Sequence, residues 1–406
     1  MRLIVIGGGA AGFFCAVTAA RLNPSLEVVL VEKSSKLLSK VRISGGGRCN
    51  VTHACFSIPE MAAKYPRGQH FVKKTFHEFF TTDTIEWFSS RGVQLKTEED
   101  GRMFPISDSS ETIVRCLLDE ASRYRVSILL NRDVVALKSV QQRWQAEYAN
   151  GSKDDADFVC VACGGFPKAS QFRWIKALGH SIAEPVPSLF TFNIPNNPIT
   201  SFMGISAHAS VKIANTKFVE EGPVLITHWG LSGPGILKLS ARAARELHAL
   251  NYRFTAVLNW SSSLNEQAAR ETFNGYRSAQ GSLRVHGKNS FGLPQRLWEH
   301  LCTLSGIADA TRWADLTANM SANLAKNLCS MELPVQGKTT YKEEFVTAGG
   351  IVLKEVNHLT MESRIAPNLF FAGEILDVDG VTGGFNFQHA WTSGFIAGKA
   401  IAQRMR

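Results

Sequence analysis

The sequence predicts an α/β fold of the doubly wound, parallel-sheet class, and three stretches predict it. Leu3-Ile4-Val5-Ile6 reads as a buried strand, after which Gly7-Gly8-Gly9-Ala10-Ala11-Gly12 opens a helix running through Leu22. Val28-Val29-Leu30-Val31 reads as a second buried strand, ending at Glu32. Far downstream, Asn368-Leu369-Phe370-Phe371 is a third, followed by Gly373-Glu374 and by a turn, Thr382-Gly383-Gly384, that opens a small-residue helix over 387–402. Short apolar runs bounded by turn residues are what strands covered on both faces require.

The first stretch carries a dinucleotide fingerprint in its full context. Gly7 permits the tight turn, Gly9 lets the backbone approach a pyrophosphate, and Gly12 lets the helix lie close on the strand. The helix N-terminus at Ala10 and Ala11 faces the phosphates with free N–H groups and a positive dipole end. Glu32, at the end of the second strand, is placed to accept hydrogen bonds from a ribose diol and to disfavour a 2′-phosphate.

A chain of 406 residues with 45% hydrophobic content implies two or three domains with ample core material. No apolar run reaches the ~18 residues of a membrane span, and three consecutive glycines interrupt the apolar N-terminus, which argues against a signal peptide. The expected setting is cytoplasmic, without membrane contact. The net charge is +9, from 44 basic and 35 acidic residues. Those basic residues are scattered and not interleaved with aromatics, so the charge is read as attraction of an anionic cofactor and as solubility rather than as a nucleic-acid surface. Of eight cysteines, only Cys160 and Cys163 form a C-x-x-C pair, and they lie in an apolar strand rather than at a helix N-terminus. They are expected to be buried and reduced.

Glu32 and Lys33 are followed, after ten intervening residues, by Ser44-Gly45-Gly46-Gly47-Arg48-Cys49-Asn50, a loop whose N–H groups can converge on an anion or a polar ring edge. This run resembles the signature of the BaiN-type, or aminoacetone-oxidase-like, FAD-binding oxidoreductases. The resemblance implies a Rossmann-like FAD domain of the glutathione-reductase type, with the flavin ring against this second loop. It also implies that Val134 offers its backbone to the adenine. Ala162-Cys163-Gly164-Gly165 is similar to the Ala-Thr-Gly-Gly that such folds place near the pyrophosphate, with cysteine where threonine is usual. Gly373, Glu374 and Asp377 resemble the ribityl-binding turn, and Gly383, Gly384, Phe385 and Asn386 the turn at the pyrimidine edge. Thr360–Ser363 and Leu231–Pro234 match as well, whereas 166–180 and 262–330 match least.

Between these elements the chain changes character. Residues 56–125 carry helical patterns: Asp83 with Glu86 reads as a capping box, Gly92 as a stop, and Phe71, Phe76, Phe79 and Phe80 as core. Arg102–Pro105 and Ser107–Glu111 read as a turn starting a helix at Thr112–Tyr124. From Val126 to Val161 the period is near two, with Asn150-Gly151 as a hairpin turn. Prolines at 185, 187, 195 and 198 with short alternating runs then suggest a small antiparallel domain, in which a helix follows at Ile236–Leu247. The expected organisation is an FAD-binding domain from 1–185 plus 345–406, a β-rich inserted domain from 186–261 plus 331–344, and a helical subdomain from 262–330.

The expected function is FAD-dependent redox chemistry. The resemblance implies NAD(P)H as a transient reductant, since no second fingerprint is present, and a small-molecule acceptor such as an enone C=C. Two alternatives stand beside it: an oxygen-using amine oxidase, and a non-enzymatic flavin-loaded or RNA-associated module motivated by the charge. Arg48 and His228 are the candidate catalytic side chains. His228 has the right chemistry for proton donation but no paired acid nearby in sequence. No metal site is expected.

Overall fold

The N-terminal apolar run forms β1 (Arg2–Ile6), whose Leu3, Ile4 and Val5 are completely buried, and the glycine turn leads into α1 (Ala10–Leu22) and then β2 (Glu27–Val31). Ser127–Leu129 (β3), Phe158–Val161 (β4) and Leu369–Phe371 (β5) complete a five-stranded sheet of order β5-β4-β1-β2-β3, parallel throughout. The last helix, α2, runs from Phe385 to Gln403. In this computed structural model residues 1–287, 289–339 and 346–404 are described. The chain divides into two compact units, Met1–Ser188 with Tyr341–Arg406, and Leu189–Thr340.

The first unit carries three smaller sheets. Val134–Val140, Arg143–Tyr148 and Lys153–Ala156 form the antiparallel meander. Ile182–Ser188 pairs with Val346–Ile351; Phe345, where the C-terminal FAD segment was expected to begin, lies outside the described residues. Arg102–Pro105, expected as a turn, is instead the centre of a three-stranded sheet between Thr52–His53 and Leu95–Thr97, with Pro105 as its last residue, where a missing donor costs least. The following helix starts at Ser110, capped by the Ser109 hydroxyl. Asp83 is also placed differently: it is the third residue of the helix Thr81–Ser89, and its carboxylate accepts from the Phe80 N–H (2.7 Å) rather than capping a helix of its own.

Ser363, His180 and Glu355 connect in the order of a hydrolytic triad, Oγ to Nε2 at 3.1 Å and Nδ1 to Oε2 at 3.3 Å. The Ser363 oxygen already accepts from Ile365 N and Ala366 N, however, and His180 is buried. The trio therefore staples the turn ahead of β5 to the start of Ile182–Ser188.

The second unit is built on a seven-stranded antiparallel sheet, with Ser206–Ile213 and Val219–Thr227 at its centre. The helix expected at 236–247 is two helices, Pro234–Arg242 and Ala244–Ala249, broken at Ala243. Helices Glu266–Gln280, Gln295–Leu304 and Ala318–Cys329 fill the segment 262–330. Their Phe273, Trp298 and Leu328 share one apolar core with Val211, Ile226 and Leu258 of the sheet. Within Glu266–Gln280, Gly275 is exposed and a Cβ there meets nothing within 4 Å. Gly275→Ala is therefore expected to raise the stability of this unit by about 0.5–1 kcal/mol in denaturant titration.

Candidate functional site

The site is organised by two helices that lie side by side and run in the same direction. A Cβ at Gly394 would stand 2.4 Å from Ala11 O, and one at Gly398 2.5 Å from Cys15 O, so α2 rests directly on the backbone of α1. Counting back from that contact, α2 begins nine residues earlier and α1 one residue earlier. The difference, eight residues at about 1.5 Å each, sets the two N-termini roughly 12 Å apart along a common direction. Each has glycine at its N-cap, Gly9 and Gly384, and neither has a side-chain cap. Two positive helix ends, stepped along one line, suit a ligand with an anionic group at one end and a polar ring at the other.

At the α1 end the fingerprint residues are in register. Gly7 N donates to Val31 O (2.8 Å), and Gly9 has no atom within 4 Å of a would-be Cβ, leaving open space over the turn. Glu32 is drawn to this turn by Gly8 N (2.9 Å), and its second oxygen accepts from Ser34 N and Oγ (both 2.9 Å). Lys33 is exposed, and Val134 is buried at the start of the meander, opposite Tyr148. Cys163 follows β4; burial pushes its thiol up to about 12 despite Lys33, so it stands as a neutral thiol. A Cβ at Gly164 would meet only Glu374 Oε2, at 3.9 Å.

Glu374 links this end to the next. It accepts from Lys40 Nζ (2.5 Å) and from Thr347 N (2.9 Å). The Thr347 hydroxyl, which sequence reasoning missed, is buried beside Gly165 with no hydrogen-bond partner. Asp377 is half-buried, its N–H donating to Ile351 O (3.1 Å).

The second glycine loop is entered through a helical turn from Ser39. Ser44 leaves helical geometry, and Gly45, Gly46 and Gly47 all take positive φ. Gly46 faces open space, whereas a Cβ at Gly45 would meet the Phe104 ring at 2.7 Å. Arg48 lies over that same ring (4.0 Å to the centroid) and pairs with Glu98 (2.6 Å) and Asp108 (3.5 Å), so its charge is committed to the small sheet. Cys49 is buried with its thiol pushed up to about 12 by burial, although Ser44 lowers it, which makes it a packing group at neutral pH. Asn50, with its amide oxygen toward the donor, accepts from Gly384 N (3.0 Å) and donates to Thr52 O (3.0 Å).

The loop thereby reaches the turn ahead of α2. The His53 Nδ1–H donates to Gly383 O (3.0 Å), and its ring stacks on Phe385 at 4.7 Å. The Asn386 side chain closes on Gly380, accepting from its N–H (2.8 Å) and donating to its carbonyl (2.9 Å). His53 carried no motif and went unnoticed in the sequence. His228 belongs to the second unit, exposed at the tip of the hairpin between Val219–Thr227 and Gly230–Ser232, with its ring against Trp229.

One buried group on α2 makes the site sensitive to acid. Burial pulls His389 down to about 4, although the Gly373 carbonyl and Glu374 favour its charge. Its Nε2 faces Gly373 O at 3.3 Å, and its Nδ1 is buried without a partner. Since the unfolded chain binds this proton more readily than the folded one, the contribution is complete above about 6.5 and is lost as pH falls toward 4, amounting to about 3 kcal/mol. A His389→Gln chain should lose less stability than the parent between pH 7 and 4.5 in urea titrations.

The residues present fit FAD. Both helix ends lack side-chain caps, the space over Gly9 and Gly46 is open, and an orphaned hydroxyl, Thr347 Oγ1, lies beside Glu374. Glu32→Ala removes the carboxylate that accepts from Gly8 N at the glycine turn and is expected to weaken FAD binding by roughly 10–100-fold in ultrafiltration assays. Among the described residues no cluster could hold a metal ion, and no helix is long and apolar enough to cross a membrane.

Comparison with known proteins agrees with this architecture. The chain is 28% identical to the 3-dehydro-bile acid delta(4,6)-reductase of Clostridium scindens, covering 99% of each chain. It is 30% identical to the ribosomal RNA dihydrouridine synthase of Escherichia coli, covering 96% of this chain and 95% of that one. Among solved structures, the 3-ketosteroid-delta4-(5alpha)-dehydrogenase of Rhodococcus jostii shares the fold, with a TM-score of 0.52 at 13% identity over 98% of this chain and 96% of that one. The family described as HI0933-like protein Rossmann domain matches residues 1–400. With that match spanning the glycine turns, the acid after β2 and the returning helix, this chain belongs to the HI0933-like Rossmann family of FAD-dependent oxidoreductases.

Proposed function

We propose that this enzyme reduces a carbon–carbon double bond conjugated with a carbonyl group, drawing hydride from NAD(P)H. The observation that carries this reading is what the two relatives have in common. A 3-keto bile acid with Δ4,6 unsaturation and the uracil ring of RNA are different molecules, yet each presents a C=C activated by a neighbouring carbonyl. FAD, when bound, supplies the acceptance and return of hydride. The chain's part is to hold and orient it: the N–H groups at Gly9, Ala10, Ala11 and Gly12 for the pyrophosphate, Glu32 for the ribose, Glu374 and Asp377 for the ribityl chain, and the loops Ser44–Asn50 and Gly383–Asn386 for the ring. Lacking a second dinucleotide fingerprint, the protein would bind the nicotinamide only for the transfer.

A second substrate reading, uridine within RNA, is favoured by the net charge of +9 and by the relative at 30% identity. Anaerobic mixing tests both. Rapid bleaching of the flavin band by NADH or NADPH, then its return on adding a 3-keto-Δ4,6 steroid or ribosomal RNA, supports the reductase. Reoxidation by RNA alone, with binding that weakens steeply as salt rises, selects the nucleic-acid substrate. Absence of bleaching with both nucleotides, together with bleaching by a primary amine, would replace the reductase with an amine oxidase.

A further inference from the structure

We infer that the buried Arg67–Asp379 ion pair is a positioning pair for the cofactor, locking the turn ahead of α2 so that the N-terminus of that helix meets the ring end of the flavin; this rests on the FAD site proposed above. The Arg67 guanidinium donates through Nε and Nη2 to both carboxylate oxygens of Asp379. The Asp379 side chain is fully buried and that of Arg67 only 12% exposed. Ser188 Oγ adds a third donor at 2.9 Å.

The backbone follows the side chains. Arg67 and Asp379 form an isolated antiparallel bridge, Val381 N donates to Lys64 O (2.9 Å), and the Tyr65 hydroxyl donates to Phe385 O (2.5 Å), on the first residue of α2. A Cβ at Gly68 would meet Val378 Cγ2 at 2.6 Å, so this segment sits against the turn along its length.

Stability alone is a poor reason for such a pair. Burial pushes the Asp379 carboxyl above its ordinary range, although Arg67 and Ser188 pull it back. Apolar side chains of similar volume generally serve a buried position as well or better. What a bidentate pair adds is direction, because two parallel N–H···O bonds fix the angle as well as the distance. Here that direction is imposed on the segment leading from Asp379 into Phe385, and the first-turn N–H groups of α2 take their aim from it.

The test separates holding the fold from aiming the helix. Arg67→Leu strands a buried carboxylate and should lower both the melting temperature of the FAD-free chain and its affinity for FAD. The double variant Arg67→Leu/Asp379→Leu removes both charges and should return that melting temperature to within about 3 °C of the parent. It should nevertheless bind FAD at least about tenfold more weakly and shift the flavin absorption band and midpoint potential. A double variant matching the parent in melting temperature, FAD affinity and spectrum overturns the inference. Should the double variant fail to fold, Arg67→Lys decides, since lysine keeps the charge without the fork. Weakened FAD binding at an unchanged melting temperature supports the inference, and unchanged binding overturns it. If the parent chain itself binds no FAD, the FAD site fails and the positioning role of the pair falls with it, an outcome distinct from loss of FAD in the variants alone.

Discussion

Gly12→Val is expected to yield a chain that keeps no FAD through purification. A Cβ at this position would lie 1.9 Å from Gly7 O and 3.5 Å from Val5 Cγ1, so even Gly12→Ala collides with backbone, and valine adds two methyl groups to the collision. Relief requires α1 to lift away from β1. Its other side is closed, because Gly394 and Gly398 hold α2 against Ala11 and Cys15. Overpacking of this kind costs about 1–3 kcal/mol where neighbours can give, and more where the obstacle is main chain on both sides. The loss falls on the turn that presents Gly9 and Ala10. The measurement is the flavin-to-protein ratio after denaturation, with circular dichroism to confirm that the chain is folded. A yellow, stoichiometrically loaded variant would refute the fingerprint.

Elements set by neighbours in sequence were legible. The helix expected at Ala10–Leu22 is the helix observed, because the buried strand before it and the glycine turn fix both its start and its face. The break at Ala243 was not legible, since no glycine or proline marks it. Arg102–Pro105 read as a turn because its strand partners, Thr52–His53 and Leu95–Thr97, lie outside any local window. Asp83 is a subtler case: an acid near a helix start suits the cap and the third position equally, and only the Phe80 N–H decides between them.

The site divides in the same way. Glycine spacing and the acid after β2 announce the α1 end without help from the fold. Arg67 and Asp379 are 312 residues apart, and nothing near either announces the other. The sequence also overstates what charged and polar side chains in a motif are free to do. Arg48 looks available beside three glycines until Glu98, Asp108 and the Phe104 ring take it up, and Asn386 looks ready for a ligand until Gly380 is seen to occupy both ends of its amide.

Gly394→Val should cost nearly as much as Gly12→Val, by separating the two helix ends that the proposed FAD site spans. The distance between packed helices follows the side chains at their contact, and here there is none on the α2 side. A Cβ 2.4 Å from Ala11 O forces the axes apart at the level of the first turn of α1, beside the phosphate end of the cradle. The expected result is a fall of several degrees in melting temperature and at least about a hundredfold loss of FAD affinity, the steeper part arising because misplaced donors lose bonds as well as packing. Gly398→Val supplies the control. Its Cβ would meet Cys15 O at 2.5 Å, an equal collision one helical turn farther from the cradle. The two variants should melt at similar temperatures, yet Gly398→Val should retain FAD the better of the two. Equal FAD loss in both would mean that the spacing of α1 and α2 supports the fold as a whole and does not set the reach between the two ends of the site.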